Sequence, residues 1–226
     1  MPESPSTIGE PFAPTTRWKH GSLPVIGLTG AVGGGKSAAA ALLRERGAVV
    51  IDADAVGHEV LRRPEIAQRL ADRFGSGILT ADQTVDRRAL GRIVFADPAG
   101  RRDLEAVVHP PMFEEFQRIV AESERCGEGP MIVLDAAILL ESGWDHACDL
   151  VVFVDAPKEV RLDRVRRSRG WSAEELDARE AAQWPVERKK ARADRVLVND
   201  DDLAKLTLSV DRLIAWIDQV ETVPPQ

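Results

Sequence analysis

Cysteine is nearly absent: 226 residues hold two, Cys126 and Cys148. They lie far apart in the chain, and neither has the spacing of a CxxC or His-paired metal motif. That excludes a disulfide scaffold and a sequence-evident zinc site, and a reducing, cytoplasmic setting is the expectation. No apolar run approaches the roughly 20 residues that cross a bilayer, so no membrane partner is expected. The first twenty residues lack the apolar centre of a secretion signal. They are polar and rich in Pro, Ser and Thr, and 1–21 is expected as a disordered leader, with 223–226 as a disordered tail. Positive charge is in the minority, 30 Lys and Arg against 37 Asp and Glu, for a formal net charge of −7. Without a basic footprint, nucleic acid is not an expected partner. An anionic small substrate stays possible, because local arginine clusters can sit on an acidic protein.

What is present is the mix of an ordinary globular protein, 44% hydrophobic and 30% charged, long enough for one core with a small insertion. Five short apolar runs read as buried strands: 24–29, 48–52, 130–135, 149–155 and 193–199. Helical segments separate them. Residues 37–46 are rich in Ala and Leu and stop at Gly47. A closing helix over 203–220 repeats apolar residues at Leu206, Leu213, Ile214 and Ile217. Strands alternating with helices give an α/β fold with a parallel sheet. The core is expected over 22–66, 125–160 and 186–222. From 67 to 124 the pattern turns helical and is read as an inserted domain, its long helix broken at His109-Pro110-Pro111. An Arg-rich stretch, 161–185, is read as a small helical lid.

Sites in parallel α/β sheets gather at the carboxyl ends of strands. There the first strand runs into Gly30-Ala31-Val32-Gly33-Gly34-Gly35-Lys36-Ser37, a complete G-x-x-x-x-G-K-S phosphate loop between a strand and a helix. Ala31, Val32, Gly33, Gly34 and Gly35 supply backbone amides that curl toward phosphate oxygens, and the helix start adds its positive dipole end. Lys36 would reach the β and γ phosphates, and the Ser37 hydroxyl would serve Mg²⁺. A guanine-selecting N-K-x-D is missing, since Asn199 is followed by Asp200, so ATP is the expected nucleotide.

Two acids end strands on that edge. Asp52 is suited to accept the proton of an acceptor hydroxyl, and Asp135 resembles a metal-binding acid opposite the loop. Asp54 falls in the first turn of the next helix, where an acid is a common stabiliser. Among the arginines, part is a solvated face with i,i+4 acid partners. Arg164, Arg167 and Arg179 are candidates to close over the phosphates from a solvent-facing lid. Trp171 and Trp184 read as packing residues of that lid. Two further readings stay open: another small-molecule kinase acting on a nucleoside, shikimate or gluconate, and a nucleotide-binding regulatory protein without transfer.

Taken together these residues resemble the dephospho-CoA kinase family. The resemblance is carried by the loop, by Val50-Ile51-Asp52-Ala53-Asp54, by Asp86-Arg87 with Val94-Phe95, and by His109-Pro110. It continues through Ile138-Leu139-Leu140-Glu141, Val154-Asp155, Arg179 with Gln183, and Ala193 to Asn199. Ala137 stands where the family usually has Pro, Leu140 where Phe is common, and Ser168 nearest a usual lid arginine, with Arg167 and Arg169 on either side. The resemblance implies phosphorylation by ATP of the ribose 3′-hydroxyl of dephospho-CoA, the last step of coenzyme A synthesis. It implies that Asp52 handles that hydroxyl, that Arg87 and His109 lie toward the acceptor, that 67–124 binds the CoA moiety, and that Asn199 belongs to the nucleotide side.

Overall fold

A computed structural model describes residues 21–200 and 202–221; the expected tail and all but Gly21 of the expected leader lie outside them. Strands β1 (Val25–Gly30), β2 (Val49–Asp52), β3 (Ile132–Asp135), β4 (Leu150–Asp155) and β5 (Arg195–Val198) form one parallel sheet in the order β2-β3-β1-β4-β5. Every residue of β1 is buried, as expected for a central strand covered on both faces. Its register sets Leu28 beside Asp135 and Gly30 beside Val154, which brings the loop and the strand-end acid to one edge of the sheet. At the opposite edge two carboxylates start the strands: Asp149 accepts from the Val25 amide at 2.8 Å and Asp194 from the Val151 amide at 2.7 Å.

Helix α1 (Lys36–Glu45) buries Ala39, Ala40, Leu42 and Leu43, its small residues allowing close approach to the sheet. After α2 (Ala53–Leu61), α3 (Pro64–Phe74), α4 (Arg87–Ala96) and α5 (Pro98–Cys126) come α6 (Lys158–Arg169), α7 (Ala173–Ala181), α8 (Val186–Arg192) and α9 (Leu203–Glu221). Leu206, Val210, Leu213 and Ile217 on α9 form the inward stripe of a 3.6-residue period and join Ile26, Leu28, Leu43, Val152 and Val154 in the core. No helix among the described residues is long and apolar enough to cross a membrane.

The chain divides into two compact units, Met1–Ile51 with Glu122–Gln226, and Asp52–Ala121. The second starts earlier than the 67–124 insertion read from sequence, because α2 and α3 belong to it. The expected break at 109–111 does not occur: α5 runs through Pro110 and Pro111. Both prolines lack an amide donor, which costs helix stability. Val108, Met112 and Phe116, four residues apart, are nevertheless all buried. That stripe spans the proline pair, and its burial keeps the helix in one piece.

Candidate active site

Gly30 ends β1, and the loop after it turns through two left-handed glycines, Gly33 (φ 75°) and Gly35 (φ 90°). At Gly35 an L side chain is doubly excluded: the backbone is left-handed, and a Cβ would run into the Asn199 amide nitrogen. Gly35 caps α1 without a side chain, and no acid occupies the first turn. The Ala38 amide turns back to the Gly35 carbonyl at 3.0 Å, and the start of the first turn, with the positive end of the helix, is left to an outside anion.

The loop's carbonyls are held by the protein itself. Asn199, buried, donates Nδ2 to the Gly34 carbonyl at 3.0 Å, and Arg164 donates Nη1 to the same oxygen at 3.2 Å. Arg164 Nη2 donates to the Asn199 carbonyl at 3.2 Å and to its Oδ1 at 2.8 Å. Arg161 donates Nη1 to the Val32 carbonyl at 3.4 Å and Nε to that of Ala156 at 3.1 Å. With Val32 and Gly34 fastened through their oxygens, what the loop presents to a ligand is its remaining amides; that of Gly34, expected to face phosphate, instead donates to the Ala31 carbonyl at 2.9 Å, closing the turn. The expectation of a solvent-facing Arg164 is thereby corrected. It is half-buried, its fork spent on Gly34 and Asn199, because the start of α6 packs against the loop rather than standing clear of it.

Lys36 forms an ion pair with Asp135, which is only 9% exposed at the end of β3. Ser37 is exposed beside it. Arg167 is exposed and paired with Asp163 one turn back, the solvated i,i+4 arrangement. Arg179 is exposed on α7, its guanidinium 4.0 Å from the centroid of half-buried Trp171, with Arg169 at 4.6 Å. Trp184 carries Arg188 in the same way at 3.4 Å. Ser172 and Glu175 close a reciprocal capping box at the start of α7.

In the second unit Asp52 ends β2 and is itself the N-cap of α2, accepting from the Ala55 amide at 3.0 Å through Oδ1. The cap is thus Asp52, with Asp54 exposed in the first turn. Capping occupies one carboxylate oxygen of Asp52, and the residue is exposed. Asp86 caps α4 through the amides of Arg88 and Ala89, and its carboxyl is held below the usual range by the Ala89 amide first and the Arg88 amide second. That fixes Arg87 as the exposed first residue of α4. His109 is half-buried in α5. Burial pushes its imidazole below the ordinary value, Glu105 opposing and Arg101 assisting.

Two buried cations near the loop carry no role in the sequence reading. Arg161 is 6% exposed and ion-paired with Glu180 of α7, and desolvation pushes its guanidinium down. Lys189 is 1% exposed and paired with Glu141 at 2.8 Å. The available signal was periodicity: Arg161 shares the inward face of α6 with Val165, and Lys189 follows Val186 by three on α8.

Comparison with known proteins extends past the loop. The dephospho-CoA kinase family model matches residues 24–205. A Symbiobacterium thermophilum dephospho-CoA kinase is 45% identical over 195 residues, covering 85% of this chain and 80% of its own. One from Anaeromyxobacter dehalogenans is 44% identical over 197 residues, 84% of this chain and 90% of its own. Among solved structures, a Thermus thermophilus protein is 38% identical with a TM-score of 0.73, covering 88% of this chain and 98% of its own. The Campylobacter jejuni dephospho-CoA kinase, at 24% identity and a TM-score of 0.65 over 86% and 97%, shares the fold. With a family match running from β1 into α9 and relatives above 40% identity across both compact units, the chain belongs to the dephospho-CoA kinase family.

Proposed function

We propose that the protein transfers the γ-phosphoryl group of ATP to the ribose 3′-hydroxyl of dephospho-CoA in the cytoplasm, giving CoA and ADP. The observation that carries the reading is that the family match runs from 24 to 205, a span that contains Asp52, Arg87 and His109, which we read as the acceptor side, as well as the phosphate loop. The loop geometry accounts for the donor side. Its amides and the α1 dipole bind phosphate oxygens, and Lys36, held beside Asp135, stabilises charge on the β and γ phosphates as transfer proceeds.

The donors present fit Mg²⁺. Ser37 offers a hydroxyl and Asp135 a carboxylate, and no cluster of three or more metal-binding side chains occurs among the described residues. An ion that keeps waters and substrate phosphates as its other ligands needs no larger protein cage. When bound, Mg²⁺ neutralises phosphate charge. Asp52, with one oxygen engaged by Ala55, uses the other to take the proton of the 3′-hydroxyl as the ribose 3′-oxygen bonds to the γ phosphorus and the bond to ADP breaks. Arg167 and Arg179 are the exposed cations that would meet the phosphates. Arg164 and Asn199 serve the nucleotide by holding the loop. Arg87 supplies positive charge on the acceptor side and His109 a neutral imidazole there.

The test is ADP formation with ATP and Mg²⁺ across acceptors, comparing dephospho-CoA with shikimate, gluconate and nucleosides. Dephospho-CoA is expected to be the fastest by a wide margin. A faster rate with any of the others would replace this reading.

A further inference from the structure

Lys189 lies behind the phosphate site rather than in it. Its ammonium has three donors and spends them on two segments: the Ala137 carbonyl at 2.8 Å and the Glu141 carboxylate at 2.8 Å in the turn after β3, and Gln183 Oε1 at 2.9 Å in the connection between α7 and α8. The Ala137 carbonyl also accepts from Thr29 Oγ1 at 3.2 Å, and Thr29 is the fully buried residue just before Gly30. Glu141 Oε1 in turn accepts the Trp184 amide at 2.9 Å. One buried cation thus ties the turn after β3 to the end of β1 and to the connection between α7 and α8.

That turn begins two residues past Asp135. The Asp135 carboxylate faces Lys36 while the backbone from 135 to 137 keeps its path: β1 holds the strand end, with Leu28 beside Asp135 and the Ala136 amide donating to the Leu28 carbonyl at 3.0 Å, and Thr29 and Lys189 hold the next carbonyl, that of Ala137. Burial pushes the Lys189 ammonium below its ordinary value, Glu141 opposes, and the charge of Lys36 adds to the depression, so the two lysines feel one another.

From this we infer that Lys189, through Ala137 and with Glu141 as its counter-ion, is a positioning residue that sets Asp135 against Lys36 for phosphoryl transfer. The inference rests on the reading of Asp135 and Lys36 as the metal and phosphate groups of the site. Lys189 touches neither substrate. It acts by holding the strand-end acid against the Lys36 ammonium, at the place where it would also serve Mg²⁺.

The experiment separates positioning from folding. Lys189→Met alone strands Glu141, whose Oε2 is already buried without a hydrogen-bond partner, and is expected to melt well below the wild type. Glu141→Gln combined with Lys189→Met removes both charges and keeps an oxygen for the Trp184 amide. The double variant is expected to recover most of the melting temperature. Its kcat should stay about tenfold or more below wild type, its Mg²⁺ requirement should rise several fold, and its KM for dephospho-CoA should hold within about twofold. A folded double variant with wild-type kcat and Mg²⁺ dependence would overturn the inference. So would one that fails to fold, since Lys189 would then be a fold determinant. Asp135→Asn tests the underlying reading on a separate arm: unchanged Mg²⁺ dependence there sinks the role of Asp135, whatever Lys189 does.

Discussion

Arg164 makes three of its contacts with the Gly34 and Asn199 oxygens, which makes it a part of the loop's foundation. Removing the guanidinium takes a donor from both Asn199 oxygens, while Gly34 keeps that of Asn199 Nδ2, a loss of about 1–3 kcal/mol. Arg164→Ala is therefore expected to lower both the melting temperature and kcat, and Arg164→Lys to restore only part of each, because a point donor cannot bridge Gly34 and Asn199 together. A variant with reduced kcat and unchanged stability would return Arg164 to a lid role. Arg167→Ala is the internal comparison. Its partner Asp163 lies on the same exposed helical face, so stability should move by no more than about 0.5 kcal/mol. In the sequence these arginines look alike, three residues apart on one helix. What divides them is whether a carbonyl from residues 30–37 lies beneath, and that information is tertiary.

Helix α5 and the strands show which parts of the fold the sequence could reveal. The strands were legible because β1, β3 and β4 are apolar on both faces and short, and α1 because a phosphate loop starts it and Gly47 follows its end. The continuity of α5 was not legible, because a proline pair is a strong local stop and the stripe of Val108, Met112 and Phe116 that overrides it acts only once buried. Pro110 is exposed within this helix, so replacing it loses little packing and restores one amide donor. Pro110→Ala is expected to stabilise by about 1–2 kcal/mol, the helical gain exceeding the extra freedom of the unfolded chain, and a lower melting temperature would refute it. His109 next to it gives a pH signature. Its ordinary value is 6.5 and burial lowers it in the folded protein. Between the lowered value and 6.5 the unfolded chain binds more protons, so stability falls as pH drops through that window and levels off below it. His109→Gln is expected to shrink the pH dependence of the melting temperature there, while above pH 7 the two proteins should run parallel. An unchanged acid limb in the variant would assign that limb to carboxylates alone.

At the scale of the whole molecule, two compact units divide the proposed work. Lys36 and the loop belong to the first and Asp52 to the second, so donor binding and acceptor chemistry should come apart in variants. The readout is ligand-linked stability: a ligand that binds only the folded state raises its stability by about 2.7 kcal/mol at a hundred times Kd. Asn is as good an N-cap as Asp, so Asp52→Asn keeps the contact to the Ala55 amide and removes only the charge and the proton-accepting oxygen. Its melting temperature without ligand should match wild type, and ATP with Mg²⁺ should raise it by the wild-type increment. Transfer to dephospho-CoA should nonetheless fall by about 10²-fold or more, the scale of a lost general base. Lys36→Ala should do the reverse in binding: the ATP-induced shift shrinks, and transfer is lost with it. Single-turnover rates are the quantity to compare, since slow product release would mask a loss in the chemical step. If Asp52→Asn loses the ATP shift as completely as Lys36→Ala does, Asp52 is a metal or nucleotide ligand and the proton of the 3′-hydroxyl goes elsewhere.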